Sequence, residues 1–305
     1  MEINKIKKWV LRSFTIAVVI ASAIILVISM LFYSWRSNLT ENERYTKSII
    51  NINNGFVEYV FEEKGDKTIF YSHATPDNFF TSTRRLSNNF DYSFLAPARP
   101  GYFDSMIATG RTPEEQADMF AELMESLDIE NVVMWGVSGG GPAAVKFAIK
   151  YPEKCSGLIL QASYFSESDF KSKMAIFDDS FESEVGYWIK LHWDKYWVND
   201  DQTKMNMERY LESIIPFAFI RNGLLNDRLQ MSQLKLDDVT KVTCPTLIIH
   251  GSDDEYVPFS KAEEFALLLS GATLIELEGV GHYESFLTAE NAVLSEVKTF
   301  LKDVF

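Results

Sequence analysis

The residues best suited to chemistry in this 305-residue chain lie in a glycine-rich stretch, Trp135–Pro142. Within it, residues 136–140 are Gly-Val-Ser-Gly-Gly, so that a serine has glycines two residues away on both sides. An apolar run typical of a strand precedes this motif, and helical apolar spacing follows it. Glycines permit the tight turn that lifts a serine hydroxyl above a sheet edge. The pattern predicts Ser138 as a nucleophile and the Gly139 amide, at a helix start, as an oxyanion donor.

A serine nucleophile needs a base, and the base needs an orienting carboxylate. The apolar run Thr246–His250 is followed at 251–255 by Gly-Ser-Asp-Asp-Glu, which places carboxylates just after a predicted strand. The next apolar run, Thr273–Leu277, is followed by a glycine-rich loop that ends at His282. Carboxyl ends of parallel strands meet at one edge of a sheet, where such sheets bind ligands. We therefore expect Ser138, the histidine and one of these carboxylates to form a triad.

The elements that must position these residues alternate along the chain. Short apolar runs rich in β-branched and aromatic residues alternate with helical patterns, which is typical of a mostly parallel sheet flanked by helices. The predicted strands are Phe56–Phe61, Thr68–Ser72, Tyr92–Ala96, Val132–Trp135, Gly157–Gln161, Thr246–His250 and Thr273–Leu277. The predicted helices are 113–127, which a capping box at Thr112 and Glu115 opens, Gly139–Lys150, Ser260–Leu269 and Ala289–Phe305.

One long segment, at about 164–242, interrupts this alternation and is dense in aromatic residues. An insertion of this length is too large for a structureless loop, so the pattern predicts a helical cap over the carboxyl edge of the sheet. Most of its aromatic side chains are expected to pack the cap onto the sheet, and a few to line the pocket.

The segment Ser13–Trp35 has no charged residue and differs sharply in composition from the rest of the chain. A helix of this length spans about 34 Å, which matches the hydrocarbon core of a bilayer. A buried core helix would normally show a polar stripe, and this segment has none. A cleavable signal peptide would have a shorter apolar stretch, followed by an A-x-A-like site. The sequence therefore predicts an uncleaved, single-pass membrane anchor.

The charges around this anchor predict its orientation. Four cations precede it, at Lys5, Lys7, Lys8 and Arg12, whereas cations and acids are mixed just after it. The positive-inside rule then places the N-terminus in the cytoplasm and the C-terminal domain outside it, at the cell membrane. The predicted organisation is a basic N-terminus at 1–12, an anchor at 13–35, a linker at 36–46 and a catalytic domain at 47–305. Removal of residues 1–40 is expected to leave a folded domain.

From Ile50 to its end, the chain resembles the α/β-hydrolase superfamily, specifically its capped lipase- and esterase-like members. The motifs that carry the resemblance are Gly136-x-Ser138-x-Gly140, Gly251-x-x-Asp254-x-x-Val257-Pro258 and Gly281-His282. Two further segments match in part. They are His73-Ala74-Thr75-Pro76, similar to an HGxP loop but with Ala74 for glycine, and Arg99-Pro100-Gly101-Tyr102, similar to a D-R-P-G-Y turn but preceded by Ala98 and followed by Phe103.

The resemblance implies an α/β-hydrolase fold with a helical cap, preceded here by one N-terminal transmembrane helix. It also implies that the acid of the triad is Asp254, which stands three residues after the strand-end glycine. Alternation along an extended segment independently suggests that only one of Asp253 and Asp254 faces the histidine. By the same resemblance, the Thr75 amide is the second oxyanion donor beside that of Gly139.

Composition excludes several other classes of function. The net charge of −14, with no basic stripe in the globular part, argues against a nucleic-acid partner. The two cysteines and four histidines show no zinc-ligand spacing, so neither a metal nor another cofactor is expected. Cys155 and Cys244 each precede a predicted strand, which leaves open both a disulfide and the favoured alternative of two free thiols.

These observations predict a serine hydrolase that works by two-step acyl transfer through Ser138, His282 and Asp254. The aromatic cap favours a small apolar ester-like substrate, with lipid, aryl ester, lactone and amide as open alternatives. A serine at the elbow argues against dehalogenase or epoxide hydrolase chemistry, which uses a carboxylate nucleophile. The alternative function is a catalytically silent hydrolase fold that acts as a ligand receptor or membrane-tethered scaffold.

The other three histidines are assigned lesser roles. His73 and His250 each lie at the end of a predicted strand, so we interpret them as structural, hydrogen-bonded residues. His192 lies in the predicted cap, where it contacts either substrate or solvent.

Overall fold

The computed structural model describes residues 2–37, 48–77, 79, 83, 86–166, 184–199, 201–214, 216–236 and 238–305. In these residues, eight strands form a single sheet in the order β1-β2-β4-β3-β5-β6-β7-β8. The strands are β1 (Ser48–Ile52), β2 (Gly55–Glu62), β3 (Thr68–Ser72), β4 (Ser93–Pro97), β5 (Val132–Val137), β6 (Cys155–Gln161), β7 (Thr246–Gly251) and β8 (Ala272–Leu277).

The sheet is antiparallel at one end and parallel through the rest of its width. Strand β2 pairs antiparallel with both β1 and β4, whereas β4, β3, β5, β6, β7 and β8 pair parallel in that order. Every residue of β3, β5 and β7 is buried, as expected where helices cover both faces of a parallel sheet. Because these strands are parallel, the loops after β5, β7 and β8 lie at one edge of the sheet.

Helices cover the two faces of the sheet. The described helices are α1 (Glu2–Ser37), α2 (Pro113–Ser126), α3 (Gly141–Lys150), α4 (Glu184–Trp197), α5 (Asp201–Ile214), α6 (Arg221–Met231), α7 (Phe259–Leu268), α8 (Glu284–Leu287) and α9 (Glu290–Val304). Side chains of α2, α3 and α7 belong to the core on one face, with Phe120, Phe147 and Phe265 among them. Side chains of α9, α1 and α4 belong to the core on the other face, with Val297 and Tyr187 among them. This arrangement is the α/β-hydrolase fold that the resemblance implied.

The elements differ from the sequence-based expectations mainly at their ends. Strand β1 was not predicted, because its short alternating pattern stands alone beside a polar stretch. The capping box that opens α2 is present, with the Glu115 amide donating to Thr112 Oγ1 at 3.2 Å and the Thr112 amide donating to Glu115 Oε2 at 3.1 Å. Helix α3 begins at Gly141, because residues 138–140 form a separate 3₁₀ turn.

Helix α1 is continuous from Glu2 to Ser37, and its segment Trp9–Ser37 is long and apolar enough to cross a membrane. A signal sequence near an N-terminus has the same two properties. The C-terminal end of this helix packs against the domain. Phe32 is fully buried in the core that also contains Tyr187. Removal of residues 1–40 would therefore delete a core side chain, and the folding of the remaining domain stays a prediction.

The insertion between β6 and β7 contains helices α4, α5 and α6. The expected bounds of this cap, 164–242, include residues 167–183, which lie outside the described residues together with their aromatic side chains. The expected linker at 36–46 also lies outside them, except for Arg36 and Ser37, which belong to α1.

Candidate active site

Ser138 lies at the tip of a tight turn between β5 and α3, with a backbone φ of 47°. A positive φ is uncommon for a residue with a side chain and marks a turn that the surrounding packing must hold in place. A Cβ on Gly136 would lie 2.7 Å from the Ala144 Cβ, and one on Gly140 would lie 2.2 Å from the Ser72 carbonyl oxygen. Because only glycine fits at these two positions, the G-x-S-x-G spacing is a packing requirement of this turn.

The structure brings Ser138, His282 and Asp254 together at the carboxyl edge of the sheet. Ser138 Oγ lies 3.0 Å from His282 Nε2, and His282 Nδ1 lies 2.7 Å from Asp254 Oδ2. All three residues are buried. A carboxylate only accepts hydrogen bonds, so Nδ1 carries the proton that the histidine donates to Asp254, and Nε2 is free to accept from the serine hydroxyl.

The two candidate carboxylates have different surroundings. Asp254 Oδ1 accepts hydrogen bonds from the amides of Tyr256 at 2.9 Å and Val257 at 2.7 Å, which fix the carboxylate plane. Burial by itself raises the pKa of Asp254, but the charge of His282 and the hydrogen bonds from two histidines together hold that pKa well below its ordinary value. Asp253 is exposed and accepts from the neighbouring Ser252 hydroxyl. The carboxylate that faces His282 is thus that of Asp254.

A second histidine also contacts Asp254. His250 is fully buried, and its Nε2 lies 2.8 Å from the Val257 carbonyl oxygen, so this nitrogen must be the protonated one. The same Nε2 lies 3.2 Å from Asp254 Oδ2, the oxygen that His282 also contacts. His250 is therefore a structural, hydrogen-bonded residue, as its position suggested. Its contact with Asp254 helps to hold the carboxylate of the triad in place.

Aromatic side chains surround the imidazole of His282. Ring centroids of Tyr256, Phe286, Tyr283 and Tyr164 lie 5.2, 5.7, 5.8 and 6.2 Å from its own. Such packing restricts rotation of the ring, and the electron-rich faces of aromatic rings favour a cation nearby. These residues come from three separate segments, after β6, β7 and β8, and no single motif in the sequence indicates them.

Thr75 and Gly139, which the sequence predicts as the oxyanion donors, are close to each other. A Cβ on Gly139 would lie 2.1 Å from Thr75 Oγ1 and 2.9 Å from Met231 Cε, so the β3 loop and α6 both approach the turn closely. Gly139 is in the first turn of a helical segment, whose amides have no partner within the helix and point outward from its start.

A buried network of charged and polar groups connects the loop that contains Thr75 to the cap helix α6. Arg99 Nη1 donates to Asp227 Oδ1 at 2.7 Å and Nη2 donates to Asp227 Oδ2 at 2.6 Å, a bidentate pair in which both side chains are almost completely buried. Thr75 Oγ1 donates to Asp227 Oδ2 at 2.5 Å and accepts from Arg99 Nη2 at 2.7 Å. The Tyr102 hydroxyl donates to the same carboxylate oxygen at 2.6 Å. The Thr75 hydroxyl proton is therefore used within this network.

His73 connects this network to the sheet. Its Nδ1 donates to the Ala74 carbonyl oxygen at 2.9 Å, and its Nε2 accepts from the Arg99 amide at 3.0 Å. Arg99 Nε in turn donates to the His73 carbonyl oxygen at 2.9 Å. Burial, together with the charge of Arg99, lowers the pKa of His73 well below its ordinary value, so this histidine stays neutral.

Asp227 is the site residue that sequence reasoning missed. It lies in a polar cap helix, 128 residues from its partner Arg99, and nothing in its local spacing distinguishes it from a solvated acid. His192, the cap histidine, does not join this network: its ring packs 4.4 Å from Trp188 and 6.3 Å from Trp35. Among the described residues, no group of three His, Cys, Asp or Glu side chains is arranged to hold a metal ion.

The two cysteines lie at the opposite edge of the sheet, where β6 and β7 begin. Their strands are parallel neighbours, as expected, and the two sulfur atoms are 3.7 Å apart. A disulfide bond is about 2.05 Å long, so Cys155 and Cys244 are free thiols in this structure.

The fold and the site define an α/β-hydrolase. A family model described as serine aminopeptidase, S33, matches residues 114–283, which is more than half of the chain. The chain therefore belongs to this family.

Individual relatives are similar at low sequence identity. The uncharacterized hydrolase YcgS of Bacillus subtilis (strain 168) is 26% identical over 263 residues, covering 76% of this chain and 90% of that protein. The 2-hydroxy-6-oxononadienedioate/2-hydroxy-6-oxononatrienedioate hydrolase of Paraburkholderia phymatum is 28% identical over 286 residues, covering 83% and 94%. The crystal structure of a bacterial membrane phospholipase A superposes with a TM-score of 0.67 at 19% identity, covering 98% of this chain and 99% of the other. The chain is a hydrolase of the α/β fold, similar to esterases and lipases.

Proposed function

We propose that this protein is a membrane-anchored serine hydrolase that cleaves a carboxylic ester through an acyl-enzyme intermediate. The observation that carries the proposal is the continuous hydrogen-bonded path from Ser138 Oγ through His282 to Asp254, with distances of 3.0 and 2.7 Å. A buried serine, histidine and carboxylate in this order are the nucleophile, general base and orienting acid of acyl transfer.

In the first step, Ser138 Oγ attacks the carbonyl carbon of the ester while His282 Nε2 takes the hydroxyl proton. The carbonyl π electrons move onto oxygen, and the amides of Thr75 and Gly139 donate to the resulting oxyanion. Collapse of this intermediate breaks the bond to the leaving alcohol, which receives the proton from Nε2. Asp254 stays ionised throughout, which the depressed pKa of its carboxyl group supports, and stabilises the imidazolium that forms.

In the second step, a water molecule replaces the alcohol. His282 Nε2 takes a proton from the water as its oxygen attacks the acyl carbon, and the same two amides hold the second oxyanion. Collapse then breaks the bond between the acyl carbon and Ser138 Oγ, which recovers its proton from the imidazolium. The products are a carboxylic acid and the free serine. Apart from the substrate and water, these steps use side chains and amides of this chain.

An apolar small-molecule ester is the substrate class that fits best. Met231 approaches the Gly139 position, and aromatic residues surround the triad histidine, so the reacting groups are next to apolar side chains. The likeness to esterases and lipases supports the same class. The Paraburkholderia phymatum relative is named for the hydrolysis of a different kind of compound, so an assay needs a panel of substrates.

Membrane anchoring by α1 is the second part of the proposal. Its apolar segment is long enough to span a bilayer, and the cations before it favour a cytoplasmic N-terminus and an extracytoplasmic hydrolase domain at 47–305. The likeness to the bacterial membrane phospholipase A covers 98% of this chain, so it extends into this helix as well. A reporter fused after Phe305 should behave as extracytoplasmic, and a cytoplasmic signal would contradict the assignment.

The hydrolytic part is tested with the full chain in detergent and a panel of p-nitrophenyl esters from acetyl to octanoyl. Ser138→Ala should lower the rate on every accepted ester by at least about 10³-fold, because the nucleophile is lost. Ser163→Ala is the matched control: this serine is also buried and close to the turn, but its hydroxyl donates to the Tyr164 carbonyl oxygen. Unchanged hydrolysis in Ser138→Ala would contradict the proposal. A folded wild-type protein that turns over no ester favours the silent ligand-binding alternative.

A further inference from the structure

The end of α1 is docked on the cap helix α4 rather than joined to the domain only through the chain. The Phe32 ring lies 5.9 Å from that of Trp188, edge to face, and the side chain of Phe32 is 1% exposed. The Trp35 ring lies 6.4 Å from Trp188 and 6.3 Å from His192. Burial of these aromatic groups fixes the orientation of α4 relative to the membrane-spanning segment.

An ion pair extends the same contact. Arg36 Nη1 lies 3.4 Å from Glu184 Oε2 at the start of α4. Glu184, Trp188 and His192 are spaced by four residues, so they lie along one side of this helix. Tyr196 is the next residue in that series. The side of α4 that meets α1 therefore continues toward the C-terminal end of the helix.

The C-terminal end of α4 carries an exposed aromatic cluster, in which Tyr196 continues the side that meets α1, and Trp193 and Trp197 lie further around the helix. Trp193, Tyr196 and Trp197 are 65%, 77% and 65% exposed, which is far more than aromatic side chains usually are. Their rings lie against one another, with centroids 6.0 Å apart for Trp193 and Trp197 and 5.3 Å apart for Tyr196 and Trp197. We call these three residues the aromatic cluster. Contiguous exposed apolar surface of this kind is typical of sites that bind a protein, a ligand or a membrane.

The position of the cluster indicates what covers it. His192, whose ring lies 6.3 Å from that of Trp35, and Trp197 are five residues apart, or about 8 Å along the helix. The apolar segment of α1 ends at this contact, so the boundary of the bilayer lies beside α4. The zone between hydrocarbon and water is about 5–8 Å thick on each side of a bilayer, and tryptophan and tyrosine are enriched there because their rings are apolar and their N–H and O–H groups polar.

We propose that the aromatic cluster on α4 lies in the interfacial zone of the bilayer that α1 spans, so that the cap rests on the lipid surface. The inference depends on the membrane-anchoring part of the proposed function. A bilayer is favoured over a second copy of the chain or a soluble partner because α1 keeps lipid next to this surface at all times, at no translational cost.

The position is tested by a fluorescent thiol label in the full chain, reconstituted in phosphatidylcholine vesicles. Tyr196→Cys and Trp193→Cys are labelled with the environment-sensitive dye NBD in a Cys244→Ala background, where Cys155 is buried. Leu267→Cys is the matched control, because Leu267 is 87% exposed on α7, on the face of the sheet opposite to α1 and α4. Vesicles containing lipids with a nitroxide near the headgroup should quench the labels at 196 and 193, and should leave the label at 267 unchanged.

Three outcomes would overturn the inference. Labels at 196 and 193 that are as water-exposed and unquenched as the label at 267 show that the cluster faces solvent. Labels shielded from water but not quenched by nitroxide lipid show that a second copy of the chain covers the cluster. Proteins that alkaline extraction releases from the vesicles show that α1 is not inserted, which contradicts the membrane anchor and the inference together. Hydrolysis of a water-soluble ester by the same samples tests the chemistry separately.

Discussion

The carboxyl edge of the sheet and the contact between α1 and α4 are held together by different interactions. At the sheet edge, buried polar groups meet at hydrogen-bond distances, such as 2.7 Å between His282 and Asp254. At the helix contact, the rings of Phe32 and Trp35 lie 5.9 and 6.4 Å from Trp188. Hydrogen bonds weaken steeply when their angle changes, whereas aromatic packing tolerates small shifts.

This difference predicts two kinds of mutational effect. Changes at the sheet edge should alter the rate of hydrolysis much more than the free energy of unfolding, because proton transfer depends on the angles of the hydrogen bonds between the reacting groups. Changes at the helix contact should alter the stability and the membrane position of the domain and leave the chemical step nearly unchanged. The predictions below test that division.

The largest effect is expected at the carboxylate that orients His282. Asp254→Asn should lower kcat by about 10³–10⁴-fold, or about 4–5.5 kcal/mol, because an amide stabilises the wrong imidazole tautomer and no imidazolium. Asp253→Asn is the matched control and should cost less than about tenfold, since an exposed neighbour contributes only screened electrostatics. Circular dichroism and thermal melts must show that both variants fold. If Asp253→Asn loses activity and Asp254→Asn stays active, Asp254 is not the carboxylate that orients His282.

The next largest effect is expected at the helix contact, on stability. Phe32→Ala should lower the free energy of unfolding by about 3 kcal/mol, because a fully buried aromatic ring is removed and a cavity remains. Leu31→Ala, at an exposed position one residue away, should change it by less than about 0.5 kcal/mol. Denaturant titrations in detergent measure both values. Equal stability of the two variants would mean that α1 does not dock on the domain, and a large loss of kcat in Phe32→Ala at low temperature would contradict the division itself.

A smaller effect on the rate is expected from the cap side of the site. Asp227→Asn removes the charge that Arg99 and Thr75 share, so the Thr75 loop should lose its fixed position, and kcat/KM should fall about 10–100-fold. Asn226→Ala is the matched control on the same helix, because Asn226 is also buried but donates to the Arg111 carbonyl oxygen. Assays well below the melting temperature of both variants separate loss of position from loss of fold. Equal rates for the two variants would exclude a positioning role for Asp227.

The smallest effect is expected from the protonation of His73. Its pKa is lowered in the folded protein, so below about pH 6.5 the unfolded chain binds a proton that the folded chain does not. The free energy of unfolding should therefore fall as the pH falls below that value. In His73→Gln the slope should be smaller by up to about 1.4 kcal/mol per pH unit. Denaturant titrations between pH 7.5 and 5.5 compare the slopes, and identical slopes would show that His73 takes up its proton over the same pH range in the folded and unfolded chain.

The same two regions differ in how far the sequence predicts them. Ser138, Asp254 and His282 each follow a strand within a few residues, so the period of the strands and the spacing of glycines indicate where they meet. The partners of the cap and anchor are separated by long stretches of chain, such as the 128 residues between Arg99 and Asp227. No local sequence pattern indicates such a long-range ion pair, because the pair forms only when α6 is placed over the sheet. Strand β1 was missed for a different reason: it pairs locally with β2, but its five residues form a pattern too short to stand out beside a polar stretch.

The central claim is that Ser138 is an activated nucleophile, and labelling with a fluorophosphonate probe tests it most directly. The probe reacts with a serine whose proton a neighbouring base removes, and it requires no knowledge of the substrate. We predict that the full chain is labelled on one peptide, the one that contains Ser138, that Ser163→Ala is labelled equally, and that Ser138→Ala and His282→Ala are not. A folded wild-type protein that takes up no label, or one labelled at another serine, would contradict the account.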